Sequence, residues 1–141
     1  MLFAAGRLKI ENWVDGDDRE KGKTMARGAL DGLRLIEMGQ LIAGPFCGQL
    51  MADHGAEVIK IEPPKVGDAM RNWGQGIPLW FSVVARNKKS ITLNLREKEG
   101  QAIVRQLAEK ADFLLENFRP GTLERWNLGW DDLHALNKAL I

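Results

Sequence analysis

The sequence predicts an α/β fold in which a Rossmann-like, mainly parallel sheet is flanked by helices. Two observations support this prediction. Residues 32–62 show a strand pattern, a helical pattern and a second strand pattern, and the chain from residue 90 onward repeats the alternation. Such alternation is typical of parallel strands joined by helices, whose ligand sites lie beyond the carboxyl ends of the strands. The 141 residues, 45% of them hydrophobic, suffice for one domain with a packed core.

The first strand–helix–strand unit is the most informative part of the sequence. Apolar residues within 33–36 predict a strand. Pro45 suits the first turn of the following helix, because its missing N–H would be unpaired there. Apolar side chains recur at helical spacing over residues 46–51, and Gly55 stands where a capping residue belongs. β-Branched residues within 58–61 then predict the second strand.

The middle of the chain predicts a long loop, a short helix and a third strand. Residues 62–76 are rich in proline and glycine, as loops are. Residues 79–86 suit a short helix. Residues 90–95 alternate between polar and apolar side chains, as a half-buried strand does.

The last third of the chain predicts one long helix, a fourth strand and two short helices. Residues 97–110 carry an apolar stripe on one helical face and charges on the other. Residues 112–116 form a short apolar run typical of a strand. Residues 120–126 start at a proline, and a further helix opens at Trp130 with acidic residues at its positive end.

The amino-terminal residues differ from the rest of the chain. Residues 1–28 are polar, charged and without sustained periodicity, which predicts a disordered leader or an upstream extension. A sharper hypothesis is that Met25 is the intended start, since patterned sequence begins only at Leu30. The domain is therefore expected to span residues 29–141.

The composition excludes several classes of function. A net charge of +1 gives no reason to expect nucleic acid or an anionic membrane as a partner, and no apolar run is long enough to span a bilayer. The single cysteine, Cys47, rules out a multi-cysteine metal site and an internal disulfide framework, and we expect no metal. We interpret Cys47 as a packed thiol on or beside the buried face of the first helix. These features favour a cytoplasmic protein.

Three loops are predicted to meet at the carboxyl ends of the strands: residues 39–45, 62–76 and 117–125. They bring together a set of cations, an amide and two indoles, namely Lys60, Lys65, Arg71, Arg119, Arg125, Asn117, Trp73 and Trp126. Guanidinium groups suit phosphate, and indoles suit an aromatic base, so one interpretation is a nucleotide-like ligand. The other interpretation is that these are ordinary solvated surface cations. Glu62 could likewise bind a ribose or orient its own loop.

Beyond these patterns, the sequence resembles the family III CoA-transferases, the CaiB/BaiF family. The resemblance is carried by AGP at 43–45, GAEVIKIEPP at 55–64, GD at 67–68, RNKKSI at 86–91 and ENFRPG at 116–121, and it covers nearly everything from Leu30 to Asn137. The family includes formyl-CoA transferase, carnitine CoA-transferase and α-methylacyl-CoA racemase. It implies an α/β fold with a site for CoA or an acyl-CoA thioester.

The resemblance also implies which residues contact CoA, bound as a substrate. The positions that match the family's contacts are Leu41, Ile42, Leu93, Arg96, Asn117, Phe118, Arg119 and Arg125. Backbone groups at the first two would meet the CoA, and the segment from Leu93 to Arg96 would hold its adenine end. One departure is Pro63, where a family member has an arginine. We therefore expect that this phosphate contact is either lost or moved to Lys65 or Arg71.

The resemblance further implies that the catalytic residue is missing from this chain. The family's nucleophilic aspartate, which forms an acyl anhydride and then a CoA thioester, would lie beyond Ile141. We therefore expect an N-terminal fragment without transferase activity of its own, whose full-length form is an interlocked homodimer. The alternatives are a racemase-type member of the same family, a non-catalytic association domain, and a partial gene product.

Overall fold

The computed structural model describes residues 28–74 and 76–141. The predicted leader therefore lies outside the described residues, apart from Gly28, as does the hypothesis that the protein starts at Met25. From Gly28 onward the chain is packed against the end of the first helix. The amide of Leu30 donates to the carbonyl of His54 at 2.8 Å, and the Leu33 carbonyl accepts from Glu57.

Strands and helices alternate along the described chain, as predicted. The strands of the described residues are β1 (Arg34–Glu37), β2 (Glu57–Glu62), β3 (Lys89–Thr92) and β4 (Phe113–Leu115). The α-helices of the same residues are α1 (Ala43–Asp53), α2 (Leu79–Val84), α3 (Lys98–Ala108), α4 (Thr122–Arg125) and α5 (Trp130–Leu136). A 3₁₀ turn, Ala69–Asn72, lies in the loop after β2.

The four strands make one parallel sheet in the order β3-β2-β1-β4. In the central pair, Ile36 lies opposite Ile59 and Glu37 opposite Lys60. The predicted α/β class with a parallel, Rossmann-like sheet is confirmed. All four strands run in the same direction, so their carboxyl ends lie at one edge, where loops from distant parts of the sequence meet.

The two faces of the sheet carry separate cores. On one face Ile36 and Ile59 pack with Val104 and Leu107 of α3 and Leu133 of α5. Because side chains alternate along a strand, the neighbouring residues of β1 and β2 point to the opposite face. There Leu35 and Val58 pack with Ala52 and Ala56 from α1 and the turn that follows it.

Helix α1 buries a different face from the one that its large apolar residues suggest. Its buried residues are small or polar: Gly44, Pro45, Gly48, Gln49 and Ala52. Phe46 and Leu50 are exposed. The interpretation of Cys47 as a packed thiol is wrong, because this residue is exposed as well. The reason lies under the helix: a Cβ atom on Gly48 would stand 2.0 Å from Oε2 of Glu37, so only glycine fits over that carboxylate.

Two local predictions about chain turns and boundaries can be compared with the structure. Gly55 adopts a φ of +103°, which suits glycine and confirms it as the residue that ends α1. The third strand ends at Thr92 rather than at Leu95. Leu93 and Leu95 nevertheless pack against the larger core, so the predicted alternation continues past the last paired residue.

Candidate functional site

A cavity of about 580 Å³ lies at the carboxyl edge of the sheet. Its walls come from the residues that follow β1, from the end of β2, from the segment after β3, and from the loop and helix α4 after β4. The lining residues are Met38, Gln40, Ile61, Glu62, Pro63, Leu93, Asn94, Leu95, Arg96, Phe118, Arg119, Thr122, Arg125 and Trp126. We call it the arginine-lined cavity. Three predicted loops therefore contribute to one site, together with the segment after β3.

Three guanidinium groups, those of Arg96, Arg119 and Arg125, line the cavity. Within residues 28–74 and 76–141, no carboxylate forms an ion pair with Arg96, Arg119 or Arg125. Arg125 donates from Nη2 to the hydroxyl of Thr122 at 3.0 Å. Exposed guanidiniums that are not neutralised by the protein can bind an anionic ligand.

An aromatic pair forms part of the same wall. The rings of Phe118 and Trp126 meet edge to face, with their centroids 5.3 Å apart and an angle of 81° between their planes. Both residues are only partly buried and also touch the larger core. The cavity thus offers flat apolar surface beside its cations.

Five of the eight residues predicted to contact CoA line this cavity: Leu93, Arg96, Phe118, Arg119 and Arg125. Asn117 does not line the cavity but binds a residue that does. Its Oδ1 accepts from the amide of Gln40 at 2.9 Å, and its Nδ2 donates to the carbonyl of Gln40 at 3.0 Å. The side chain of Asn117 therefore holds the backbone of a residue that lines the cavity.

Leu41 and Ile42 lie in the same turn but do not line the cavity. Leu41 has a φ of +64°, an uncommon conformation for a residue with a branched side chain. Its amide donates to Oδ1 of Asp68 at 3.0 Å. Ile42 is exposed and borders a second, apolar groove. Contact of these two residues with CoA stays a prediction.

Four charged side chains beneath this turn form what we call the buried charge network: Glu37, Lys60, Asp68 and Lys88. Nζ of Lys60 lies 2.9 Å from Oε1 of Glu37, 2.9 Å from the carbonyl of Gly39 and 2.8 Å from Oδ2 of Asp68. Nζ of Lys88 donates to Oε2 of Glu37 and to the carbonyl of Pro45, at 2.6 Å each. Each of the four side chains is at most 1% exposed.

The charges of the network balance, which is what makes their burial tolerable. Two carboxylates face two ammonium groups, and most of the remaining donors and acceptors are used by the backbone. The contact between Lys60 and Asp68 is an ion pair without hydrogen-bond geometry. Burial lowers the pKa of Lys88, and the neighbouring Glu37 opposes that shift.

Glu62 anchors the loop that follows β2. Its carboxylate accepts from Nε and Nη2 of Arg71 at 2.6 and 2.7 Å, from the hydroxyl of Ser90 at 2.5 Å, and from the amide of Asp68 at 2.8 Å. Burial alone would raise the pKa of Glu62, but these hydrogen bonds outweigh burial and lower it to about 2. Of the two interpretations of Glu62, the structure supports the one in which it orients its own loop.

Two of the cations grouped with the ligand loops form ion pairs with carboxylates of the protein. Lys60 is buried in the charge network, so its proposed place among ligand-binding cations is wrong. Arg71 is bound to both oxygens of Glu62, and its guanidinium lies 3.9 Å from the centroid of the Phe81 ring. Lys65, the other cation named for the proline at position 63, is exposed but does not line the arginine-lined cavity.

The buried charge network was missed at the sequence level. The available signal was a charge inside an apolar strand: Glu37 ends β1, and Lys60 interrupts the β-branched run of β2. The second lysine had a weaker signal, because Lys88 belongs to a basic run typical of a solvated surface. Its side chain is nevertheless only 1% exposed.

A second groove, of about 440 Å³, lies on the other side of the turn. It is lined by apolar residues alone: Ile42, Phe46, Met70, Trp73, Trp80 and Val84. Trp73, which was grouped with the cation-bearing loops, therefore lies outside the arginine-lined cavity. In the part of the chain that the structure describes, no helix has the length and apolarity needed to cross a membrane, and no three metal-ligating side chains cluster.

Comparison with known proteins gives the family. Residues 30–141 match the sequence profile described as CoA-transferase family III. The chain belongs to this family. Its relatives include the succinyl-CoA--D-citramalate CoA-transferase of Chloroflexus aurantiacus, 62% identical over 116 residues that cover 79% of this chain and 29% of the relative. The formyl-CoA:oxalate CoA-transferase of a Bradyrhizobium strain is 41% identical over 117 residues, 80% of this chain and 28% of that protein.

Solved structures agree with this assignment. A CaiB/BaiF family protein from Brucella suis superposes with a TM-score of 0.76 at 38% identity, over 79% of this chain and 32% of the Brucella protein. The chain thus spans about 30% of the length of the family members that it matches. The residues that match the family profile, 30–141, include all strands of the sheet and all residues that line the arginine-lined cavity.

Proposed function

We propose that this chain forms a CoA-binding part of a family III CoA-transferase, and that CoA or an acyl-CoA binds in the arginine-lined cavity. The observation that carries this proposal is the presence, around one cavity at the carboxyl edge of a parallel sheet, of three guanidiniums that have no carboxylate partner among the described residues. CoA carries several phosphate charges, an adenine ring and an extended thiol arm. Guanidiniums bind phosphate, often through two parallel hydrogen bonds.

The walls of the cavity suit the different parts of CoA. Arg119 and Arg125 would bind phosphates, since both border the cavity and neither pairs with a carboxylate in the part of the chain that the structure describes. The segment from Leu93 to Arg96 would hold the adenine end, and Phe118 with Trp126 would supply apolar surface. In the turn from Gly39 to Ile42, Gln40 would border the CoA, and the proposed contact of Leu41 and Ile42 with CoA rests on the family resemblance.

The reaction proposed for the full-length protein is the transfer of CoA between carboxylic acids. An aspartate attacks the thioester carbonyl, the CoA thiolate leaves, and a mixed anhydride forms. The thiolate then attacks the aspartyl carbonyl, which releases the free acid and leaves CoA on the enzyme as a thioester. We propose that this aspartate lies outside the present 141 residues, so that the chain alone does not catalyse transfer, and that the protein is cytoplasmic.

Calorimetric titration tests the binding proposal. The chain should bind CoA, and it should bind pantetheine, which lacks the phosphates, much more weakly. Replacing Arg125 by alanine should weaken CoA binding about tenfold, because the variant has one charge-assisted hydrogen bond fewer to the phosphates. Arg105→Ala is the matched control, since Arg105 also donates one hydrogen bond, to the carbonyl of Asn127, but does not line the cavity. Absence of CoA binding, or equal losses in both variants, would contradict the proposal.

A second candidate function, association with another part of the protein or another copy of the chain, is favoured by the apolar groove. Ile42, Phe46, Trp73 and Trp80 expose between 43% and 66% of their surface on its walls. Apolar surface of this kind often marks an interface. It is consistent with the dimer proposed for the full-length protein. In sedimentation, Phe46→Ser should lower the mass of any oligomer; an unchanged oligomer would contradict this role.

A further inference from the structure

We propose that Asp68 is a positioning residue for CoA binding: its buried carboxylate holds the turn from Gly39 to Ile42 in the conformation that places Gln40 at the ligand site. This inference rests on the proposed CoA site. Asp68 does not line the arginine-lined cavity. It belongs to the GD motif at 67–68, but the sequence assigned no role to its side chain. Its role follows from the contacts that its carboxylate and its backbone amide make.

The turn needs such support because of its backbone conformation. Leu41 adopts a φ of +64°, a region that residues other than glycine, asparagine and aspartate visit at a cost. A left-handed residue between Gln40 and Ile42 reverses the chain sharply before α1 begins. Without an external hydrogen bond, Leu41 would relax to a negative φ, and the direction of the preceding peptide groups would change.

Asp68 supplies the hydrogen bond at Leu41 itself. Oδ1 accepts from the amide of Leu41 at 3.0 Å and from the amide of Met70 at 2.9 Å, so it joins the turn to the 3₁₀ segment. Oδ2 lies 2.8 Å from Nζ of Lys60. The backbone amide of Asp68 is fixed by Glu62 at 2.8 Å. The carboxylate is therefore locked from three sides and is 1% exposed.

Lys60 completes the hold on the turn from the same side. Its Nζ donates to the carbonyl of Gly39 at 2.9 Å and pairs with both Glu37 and Asp68. The buried charge network thus forms hydrogen bonds with the carbonyl of Gly39 and with the amide of Leu41. Gln40, the residue between them, lines the arginine-lined cavity, and its own amide and carbonyl are bound by Asn117.

The charge network therefore binds Gly39 and Leu41, and Gln40 between them faces the ligand site. A change at Asp68 should therefore alter CoA affinity through the conformation of Leu41, without any contact between Asp68 and CoA. This predicts energetic coupling between positions 68 and 41. A role in stability alone predicts that folded variants at position 68 bind CoA as tightly as the parent chain.

The first test combines Asp68→Asn with Leu41→Gly in a double-mutant cycle read by CoA calorimetry. Asparagine would place an amide donor against Nζ of Lys60, so it cannot satisfy both Lys60 and Leu41. We expect Asp68→Asn to weaken CoA binding about tenfold or more in the parent sequence. With glycine at position 41, positive φ carries no penalty, and we expect the same substitution to weaken binding only about threefold or less. Asp53→Asn is the control, since the carboxylate of Asp53 is likewise bound by three groups, here the side chains of Gln49, Arg86 and Asn87, but lies at the far end of α1.

A second variant covers the case in which Asp68→Asn fails to fold. Lys60→Met combined with Asp68→Leu removes one charge of each sign and leaves Glu37 paired with Lys88, so it should fold. It also removes the acceptor for Leu41, and we expect CoA binding at least about tenfold weaker than in the parent.

The outcomes separate the two proposals. If the unmodified chain binds CoA, and folded Asp68 variants bind it equally well or lose affinity independently of position 41, the positioning role is overturned alone. If the unmodified chain does not bind CoA, the proposed function fails, and the positioning role fails with it. Weaker binding with coupling to position 41 supports both.

Discussion

The buried charge network and the arginine-lined cavity use similar side chains at the same edge of the sheet, but in opposite ways. In the network, Lys60 and Lys88 share Glu37 and Asp68 and are closed off from water. In the cavity, the arginines have no carboxylate partner among the described residues. The first arrangement stabilises a conformation, whereas the second leaves charge available for a ligand.

This difference shows that a cation near the carboxyl ends of strands is not by itself evidence of a binding site. What decides is whether the protein supplies the counter-charge. Stability and ligand affinity should therefore respond separately to substitutions in the two regions. Four substitutions test that separation, and they are taken from the largest expected effect to the smallest.

Lys60→Met should have the largest effect on folding. It leaves Asp68 buried without a cation and Glu37 with only Lys88. Breaking a buried ion pair by removing one partner costs about 3–5 kcal/mol, a large share of the stability of a domain of this size. Urea denaturation measures the loss. Lys65→Met, at an exposed lysine, should change the free energy of unfolding by less than about 0.5 kcal/mol. Equal stability of the two variants would show that the network contributes nothing to folding.

Glu62→Gln should have the next largest effect, and that effect should depend on pH. The pKa of Glu62 is about 2 in the folded chain, against an ordinary value of 4.5. A lowered pKa means that the folded state binds the proton less readily, so the stabilisation is present above pH 4.5 and is lost as the pH falls towards 2. Near neutral pH the variant should be less stable by about 3 kcal/mol.

Urea denaturation at a series of pH values measures this difference. The gap between the parent and Glu62→Gln should close as the pH falls from 4.5 to 2. Glu109→Gln, which removes an exposed carboxylate after α3, should leave the stability profile of the parent almost unchanged. A gap that stays constant with pH would mean that the charge of Glu62 is not what holds the loop.

Gly48→Ala tests the close packing of helix α1 against the buried charge network. Helix propensity alone favours alanine by about 1 kcal/mol. The new Cβ atom, however, would lie 2.0 Å from Oε2 of Glu37 and 3.3 Å from Nζ of Lys88. Because that carboxylate is fixed by two lysines, we expect a net loss of about 1–3 kcal/mol in thermal or urea unfolding. Cys47→Ala, at the exposed neighbouring position, should cost nothing; stabilisation by Gly48→Ala would refute the close packing.

The fold could be predicted from the sequence wherever its causes are local. Gly55 caps its helix because of its own backbone freedom, and the β-branched run of β2 is a property of consecutive residues. The buried face of α1 could not be predicted in this way. It is decided by Glu37, whose partner Lys88 lies 51 residues further along the chain.

The candidate site shows the same difference between features with local causes and features that depend on long-range contacts. Most of its predicted residues line the cavity, because carboxyl ends of parallel strands converge and because the family motifs mark the loops that follow them. Asn117 was predicted as a ligand contact, but its amide is used to hold Gln40, 77 residues earlier in the sequence. Such pairings follow from the packed structure and leave no spacing pattern in the sequence.

Arg119→Gln should have the smallest effect on folding. It tests the comparison at the arginine-lined cavity rather than at the buried charge network. Arg119 has no acidic partner in the described chain, and it shares its cavity with Arg96 and Arg125. Removing one of several like charges relieves repulsion, so the variant should be as stable as the parent or more stable by up to about 0.5 kcal/mol at low salt. Salt screens such repulsion, and the difference should vanish in urea denaturation at high salt. CoA affinity should nevertheless fall in the same variant. A clear loss of stability would place Arg119 with the structural cations of the network, and the distinction between the two regions would fail.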